Sequence, residues 1–235
     1  MNEVINVLDK GYVRLTNVMG SDLSVVNSAR VSYDKESTEL TEGDIRLIRF
    51  LAREGHTSPF RHATIQFEMY APLMVARQHW KYIVGSDHTM DAWNESSRRY
   101  VTEDPAFYIP KEDEWRSAPA NSKQGSGGPL VDKLEYHEMG ELQHVYERHV
   151  EESIRLYEKS IELGMAPEQA RLFLPAYGMY VRYYWTASLQ SVAHFLNQRL
   201  AHDSQVEIQA YAKSVYELTK EHFPMSISEL VKKEA

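Results

Sequence analysis

Two stretches in which residue character alternates constrain the fold most strongly. From Ala63 to Met69 every second side chain is apolar and those between are polar, and Pro72 follows shortly afterwards. From Met179 to Trp185 the same two-residue period puts aromatic side chains on both sides. A period of two predicts β-strands. We expect the first strand to be half-buried and the second to be covered on both faces.

Shorter patterns complete the predicted architecture. Val4–Leu8 and Tyr12–Val18 are predicted to form two strands about a turn at Lys10-Gly11. Helical patterns fill most of the remaining chain. Asp22 is predicted to be the N-cap of a helix to Val31, and Thr41–Asp44 is predicted to form a capping box at the start of a second helix. Further helices are predicted at 132–164 with a break at Gly140, from Pro167 onward, at 188–198 and at 204–222. The sum predicts an α+β fold with a small, largely antiparallel sheet packed with helices.

The length of the chain bounds its organisation. At 235 residues it can bury a proper core as one domain, and we predict a single domain over 1–235. Residues 117–129 are rich in Gly, Ser and Pro, which predicts a mobile loop inside that domain. No run of 18 apolar residues occurs, and the first residues lack the pattern of a signal peptide. We therefore expect a cytoplasmic protein.

Charge and cysteine usage exclude several function classes. The formal net charge of −8 argues against nucleic-acid binding, so an anion site must gather its arginines locally. The chain has no cysteine, which excludes disulfides, thiolate metal ligands and a thiol nucleophile. No Gly-x-Gly-x-x-Gly or Walker pattern occurs, so a dinucleotide would not sit in a Rossmann cleft.

The strongest chemical signal lies in two neighbouring segments, Ala76–Tyr82 and Asn94–Tyr100. The first predicts a helix whose apolar side includes Trp80. The spacer Val84–Trp93 is rich in Gly, Ser and Asp and predicts neither helix nor strand. The second segment holds a carboxylate, two hydroxyls and two guanidinium groups, and adjacent arginines with hydroxyl donors suit a phosphate. A solvated, charged turn is an equally good interpretation of the Ser-Arg-Arg run alone.

Ala-Arg-Gln at 76–78, followed by Asn-Glu-x-Ser-x-Arg-Tyr at 94–100, resembles the signature region of the flavin-dependent thymidylate synthases, the ThyX family. Family members carry Arg-His-Arg where this chain has Lys81, Tyr82 and Ile83, and their spacer is shorter. The resemblance implies a ThyX-like fold whose active sites are shared between the subunits of a homotetramer. It also implies reductive methylation of dUMP to dTMP with FAD as cofactor and with methylenetetrahydrofolate and NADPH as co-substrates.

The resemblance implies roles for individual residues. Arg199 would stabilise the ionised uracil ring, because a guanidinium stays charged and stabilises developing negative charge. Arg171 would reach the nucleotide of a neighbouring subunit. The implied dUMP-binding residues are Gln78, Lys81, Glu95, Ser96, Ser97, Arg98, Arg99, Arg171 and Arg199. The implied FAD-binding residues are His56, Ser58, Lys81, Tyr82, Ile83, Glu95, Ser188, Gln190 and His194.

Two of these features have alternative interpretations, and one further motif suggests a different site. The missing Arg-His-Arg triad suits a nucleotide-binding regulator that kept the dUMP pocket but lost catalysis. Arg171 lies one turn from Glu168, which is the spacing of an ordinary surface ion pair. Glu141-x-x-His144 has the spacing of a di-iron ligand pair. Only one such motif occurs, so we predict a solvated helix face there and no metal site.

Overall fold

A computed structural model describes residues 3–33, 35–84, 91–96, 104–120 and 125–232 of the chain. Within these ranges, one sheet is formed by β1 (Glu3–Val7), β2 (Gly11–Met19), β3 (Thr64–Pro72), β4 (Ala92–Glu95) and β5 (Tyr180–Ser188). The strand order is β1-β2-β3-β5-β4, and every pairing is antiparallel. The predicted α+β class with an antiparallel sheet is therefore confirmed.

The helices in the described ranges are α1 (Asp22–Arg30), α2 (Glu42–Arg53), α3 (Leu73–Val84), α4 (Tyr136–Glu162), α5 (Pro167–Ala170), α6 (Leu189–Arg199), α7 (Val206–His222) and α8 (Pro224–Leu230). The predicted break at Gly140 is wrong, because α4 continues through that residue. None of the helices in this part of the chain combines the length and the apolar character needed to cross a bilayer.

One face of the sheet supplies the core. Ile65, Phe67 and Met69 of β3 are each at most 1% exposed, as their alternation predicts. Phe67 is in register with Trp185 of β5, and their rings stack with centroids 5.8 Å apart. The ring of Phe195, from α6, lies 5.5 Å from that of Trp185. The helix layer therefore packs directly on the aromatic residues of the two central strands.

The opposite face of the sheet is polar and centres on Glu68. Its carboxylate is only 3% exposed and accepts hydrogen bonds from the hydroxyls of Tyr12 and, at 2.9 Å, of Tyr184. Arg14 forms an ion pair with it. The prediction that β5 is covered on both faces is wrong for this chain, because Arg182 and Tyr184 are exposed on this side.

Helix caps follow the predicted residues in one case and not in the other. Thr41 caps α2 as predicted: its backbone N–H donates to Asp44 Oδ2 at 2.9 Å, and Asp44 N–H donates to Thr41 Oγ1 at 3.3 Å. Ser21, not Asp22, is the N-cap of α1. The Asp22 carboxylate instead accepts from the first backbone N–H groups of α8, at 2.8 and 2.9 Å. It therefore joins the two ends of the chain.

The strand β4 was not predicted. Ala92 and Trp93 fall in the spacer that we expected to be neither helix nor strand, so that expectation is wrong for these two residues and for Val84, which ends α3. Trp93 pairs with Trp185 in register and stacks on Tyr183, with ring centroids 4.0 Å apart. Residues 85–90 of the spacer and 121–124 of the predicted loop lie outside the described residues.

Candidate functional site

Residues of α3 and of the C-terminal part of α6 line a cavity of about 530 Å³. We call it the arginine cavity. Its lining contains four of the residues predicted from the sequence, namely Gln78, Lys81, Tyr82 and Arg199. Further lining residues are Gly125, Gln198, Ala201, Asp203, Ser204 and Gln205. Two helices that are distant in sequence thus bring predicted site residues together.

Arg199 is the last residue of α6 and is the chemical centre of this cavity. Its Nη1 donates to Gln78 Oε1 at 3.2 Å, and its Nη2 donates to the Tyr82 hydroxyl. The guanidinium carbon lies 4.2 Å from the centre of the Tyr82 ring. Its Nε is buried and has no hydrogen-bond partner among the described residues. A cation with unused donors at a cavity wall can bind an oxygen of a planar ring.

The helix α3 is seated on the core by a buried histidine that the sequence analysis missed. His79 is 1% exposed, whereas Trp80, which we had placed on the apolar side, is 37% exposed. The His79 ring stacks on Phe195 with centroids 4.3 Å apart, and its Nδ1 lies 3.2 Å from the Tyr183 hydroxyl. Burial lowers the pKa of His79 to about 3, so the ring is neutral. This contact fixes the helix that carries Gln78 and Tyr82.

Glu95 and Ser96 lie at the end of β4, beside α3. The backbone N–H of Ser96 donates to the carbonyl oxygen of Arg182 at 2.8 Å. Desolvation raises the pKa of the Glu95 carboxyl, while a hydrogen bond from Trp93 and the charge of Arg77 partly offset the rise. The side chain as a whole remains exposed. The phosphate-binding candidates Ser97, Arg98 and Arg99 follow at once but lie outside the described residues.

Several of the predicted flavin residues line one exposed flank of the molecule. Gln190 and His194 are separated by one turn of α6 and continue toward Gln198. The ring of His194 lies 6.2 Å from that of Tyr82. His194 and Gln198 line a second cavity of about 550 Å³, which shares Gln198 with the arginine cavity. An unpredicted cation, Arg61, donates from Nε to Gln190 Oε1 at 2.8 Å.

The remaining predicted flavin residues differ in accessibility. His56 and Ser58 are exposed after the end of α2, where His56 stacks on Phe50 at 5.8 Å between ring centroids. Ile83 is half-buried and packs against the core. Ser188 is 1% exposed, and its hydroxyl accepts from the backbone N–H of Ser191 at 3.2 Å. That hydroxyl is therefore used to cap α6.

Arg171 lies apart from the other site residues of this chain. It begins the 3-10 turn Arg171–Phe173 after α5 and does not line the arginine cavity. Its Nε is buried and has no hydrogen-bond partner among the described residues. No ion pair with Glu168 is present between these two described residues. The surface ion pair considered from the sequence is therefore not formed.

A third cavity, which the sequence analysis did not predict, adjoins the arginine cavity. We call it the aromatic cavity: it has a volume of about 550 Å³ and is lined by Tyr108, Trp115, Tyr146 and Tyr177, among others. Arg116 and Glu207 form an ion pair in its wall. Gly125 and Gln205 line both cavities. The arginine cavity is thus bordered by a compartment lined largely by aromatic side chains.

Comparison with known proteins identifies relatives along nearly the whole chain. A family model described as "Thymidylate synthase complementing protein" matches residues 14–225. The flavin-dependent thymidylate synthase of Thermus thermophilus is 37% identical over 222 residues, covering 94% of this chain and 76% of the relative. That of Thermosipho melanesiensis is 37% identical over 226 residues, covering 96% and 93%.

A solved structure has the same fold. The crystal structure of the UMP/dUMP methylase PolB from Streptomyces cacaoi, bound with 5-Br dUMP, matches with a TM-score of 0.78 and 28% sequence identity. The match covers 96% of this chain and 96% of that one. The sheet and helices described above are therefore similar to those of a protein that holds a pyrimidine nucleotide.

Proposed function

This chain belongs to the family of flavin-dependent thymidylate synthases, and on that premise we propose that it converts dUMP to dTMP in the arginine cavity. It is a methyltransferase that forms thymidylate, and it does so without a cysteine nucleophile because the chain has none. We further propose 5,10-methylenetetrahydrofolate as carbon donor, NADPH as reductant and FAD as the flavin. The alternative of a regulator without activity is not favoured, since the relatives are named as synthases.

The single observation that carries the proposal is the placement of Arg199. Its guanidinium stands at the wall of a cavity of about 530 Å³, held by Gln78 and Tyr82 and with a buried Nε that has no partner among the described residues. A pyrimidine ring carries carbonyl oxygens. A guanidinium beside them would stabilise the negative charge that develops on the ring. A neutral amide at Gln78 orients the ring edge without adding charge.

The nucleotide phosphate requires cations, and the sequence supplies them nearby. Lys81 is exposed at the cavity, one turn from Gln78. We propose that Ser97, Arg98 and Arg99 hold the phosphate with Lys81, and that Glu95 and Ser96 orient the sugar and ring. Arg171, which stands apart in this chain, would complete the site of a neighbouring subunit in a homotetramer. We also propose that the enzyme acts in the cytoplasm, in nucleotide biosynthesis.

The exposed flank of α6 fits the flavin in part. Gln190, His194 and Tyr82 offer neutral donors and rings, and Arg61 offers a cation for a phosphate. Ser188 does not fit, because its hydroxyl caps α6 and is buried. We propose that His56, Ser58, Tyr82, Gln190 and His194 hold the cofactor. Bound there and reduced by NADPH, the flavin would supply the hydride that completes the methyl group.

A visible spectrum and a turnover assay test the proposal. The purified protein should be yellow, and it should release tritium from dUMP labelled at ring carbon 5 when NADPH and methylenetetrahydrofolate are present. Arg199→Ala should abolish turnover while the flavin stays bound. Arg155→Ala, which removes an exposed guanidinium paired with the surface residue Glu152, is the matched control and should turn over normally. A colourless protein that stays inactive with added FAD would count against the proposal.

A further inference from the structure

Tyr82 contacts Arg199 in two independent ways. The guanidinium lies over the Tyr82 ring, with its carbon 4.2 Å from the ring centre, and Nη2 donates to the Tyr82 hydroxyl. On its other side, Nη1 donates to Gln78 at 3.2 Å. Gln78 and Tyr82 are four residues apart, so both partners project from one side of α3. The guanidinium is therefore clamped by one helix surface.

The clamp fixes the plane of the guanidinium and uses only some of its donors. A guanidinium carries five N–H donors in a rigid fork. The contacts to Gln78 and Tyr82 use one N–H of Nη1 and one of Nη2, and Nε is buried, which leaves a second N–H on each of the two terminal nitrogens. Donors thus remain available to a ligand in the arginine cavity, in an orientation that the clamp sets before the ligand arrives. Such pre-organisation lowers the cost of binding.

Tyr82 is itself held firmly enough to act as a template. Its side chain is half-buried and packs against the core, and its ring lies 6.2 Å from that of His194. The helix that carries it is anchored three residues earlier by the buried His79. Gln78, the second arm of the clamp, receives no such burial but donates to Gln205 at the start of α7.

We propose that Tyr82 is the positioning residue for Arg199, holding the guanidinium by ring face and hydroxyl so that its free donors meet the pyrimidine. The inference rests on the proposed function, which supplies the pyrimidine. It gives position 82 a task beyond the flavin contact considered above. A ring with a hydroxyl is needed for it, because the face attracts the cation and the oxygen accepts one N–H.

A double-mutant cycle on dUMP binding tests this role. Calorimetry gives the dissociation constant for dUMP in the wild type, Tyr82→Leu, Arg199→Ala and the double variant. We expect Tyr82→Leu to weaken binding about tenfold, in the range of a partly desolvated cation–π contact plus a charged hydrogen bond. In the Arg199→Ala background the same change should have no further effect. Losses that multiply would overturn the positioning role.

Two further variants serve as controls for the role of Tyr82. Tyr82→Phe keeps the ring and the packing, so it should weaken dUMP binding less than Tyr82→Leu. If the leucine variant does not fold, Tyr82→Phe replaces it in the double-mutant cycle. Tyr216→Leu is the matched control, because Tyr216 is also half-buried and also lies under a cation, Lys220 at 5.7 Å, but does not line the arginine cavity. It should leave the dissociation constant unchanged.

A spectroscopic readout separates this inference from the proposed function. With isotope-labelled arginine, the ring current of Tyr82 should shift the guanidinium resonances of Arg199 upfield in the wild type and in Tyr82→Phe, but not in Tyr82→Leu. An enzyme that shows the shift but neither binds nor converts dUMP refutes the proposed function alone. An active enzyme without the shift, or with independent losses in the cycle, refutes the role of Tyr82 alone.

Discussion

The burial of His79 predicts a measurable loss of stability on mild acidification. The ring is enclosed by Phe195, Trp185 and Trp93, and Tyr183 is the titratable group that faces it. Tyr183 stays neutral because burial raises its pKa well above the ordinary value. No charge among these neighbours stabilises an imidazolium. The pKa of His79 is therefore lowered to about 3, against an ordinary value of 6.5.

The sign of the effect follows from proton uptake. Below pH 6.5 the unfolded chain protonates His79 while the folded chain keeps it neutral, so the unfolded state binds the extra proton and gains stability. The folded state is thus most favoured above pH 6.5 and loses stability as the pH falls from there toward about 3. Between pH 7 and pH 5 this single group should cost about 2 kcal/mol of unfolding free energy, at roughly 1.4 kcal/mol per pH unit once fully engaged.

A variant without the imidazole isolates this contribution. His79→Phe combined with Tyr183→Phe removes the titrating ring and also the hydroxyl that would lose its partner. Urea unfolding is followed by tryptophan fluorescence at pH 5, 6 and 7 and at one protein concentration. The wild type should lose about 2 kcal/mol more than the variant over this range. Equal losses in both proteins would refute the assignment of a neutral, buried histidine.

Two further predictions address packing and the cofactor. Gly11→Ala should destabilise the fold by about 1 to 3 kcal/mol in the same urea assay, because an added Cβ would lie 2.7 Å from the carbonyl oxygen of Tyr70 and 2.8 Å from that of Val7. Arg61→Gln should weaken FAD binding roughly tenfold, since a charge-assisted contact to phosphate is lost, with Arg155→Ala as the control. Unchanged flavin fluorescence titrations for Arg61→Gln would remove that residue from the cofactor site.

Regular patterns explain why most of the fold was predictable. The alternation at Ala63–Met69 survives in the structure because one face of β3 packs on helices and the other does not. The capping box at Thr41 was predictable because it is a local contact between residues three apart. Asp22 was misassigned because its carboxylate caps a helix 203 residues further along the chain, a contact that no local pattern contains.

Short and buried polar features escaped prediction for a common physical reason. The strand β4 has four residues, and what selects it is the stacking of Trp93 on Tyr183 across the sheet. His79 looked polar in sequence but is buried, because three aromatic rings and one hydroxyl from other elements surround it. Trp80, its neighbour, faces outward as a result.

The candidate site was predictable in its members but not in its geometry. Gln78, Lys81, Tyr82 and Arg199 were implied by the family resemblance, and the structure brings them to one cavity. The contact of Tyr82 with Arg199 depends on how α3 and α6 pack, which no spacing along the chain encodes.

The wall between the arginine cavity and the aromatic cavity has a practical consequence for inhibitor design. Since Gly125 and Gln205 border both spaces, two small fragments, one in each, would sit on either side of the same pair of residues. Joining them across Gln205 makes the second fragment's binding intramolecular, which multiplies affinity when the tether matches the span. A molecule built in this way would combine a polar group that binds Arg199 in the arginine cavity with an apolar group in the aromatic cavity.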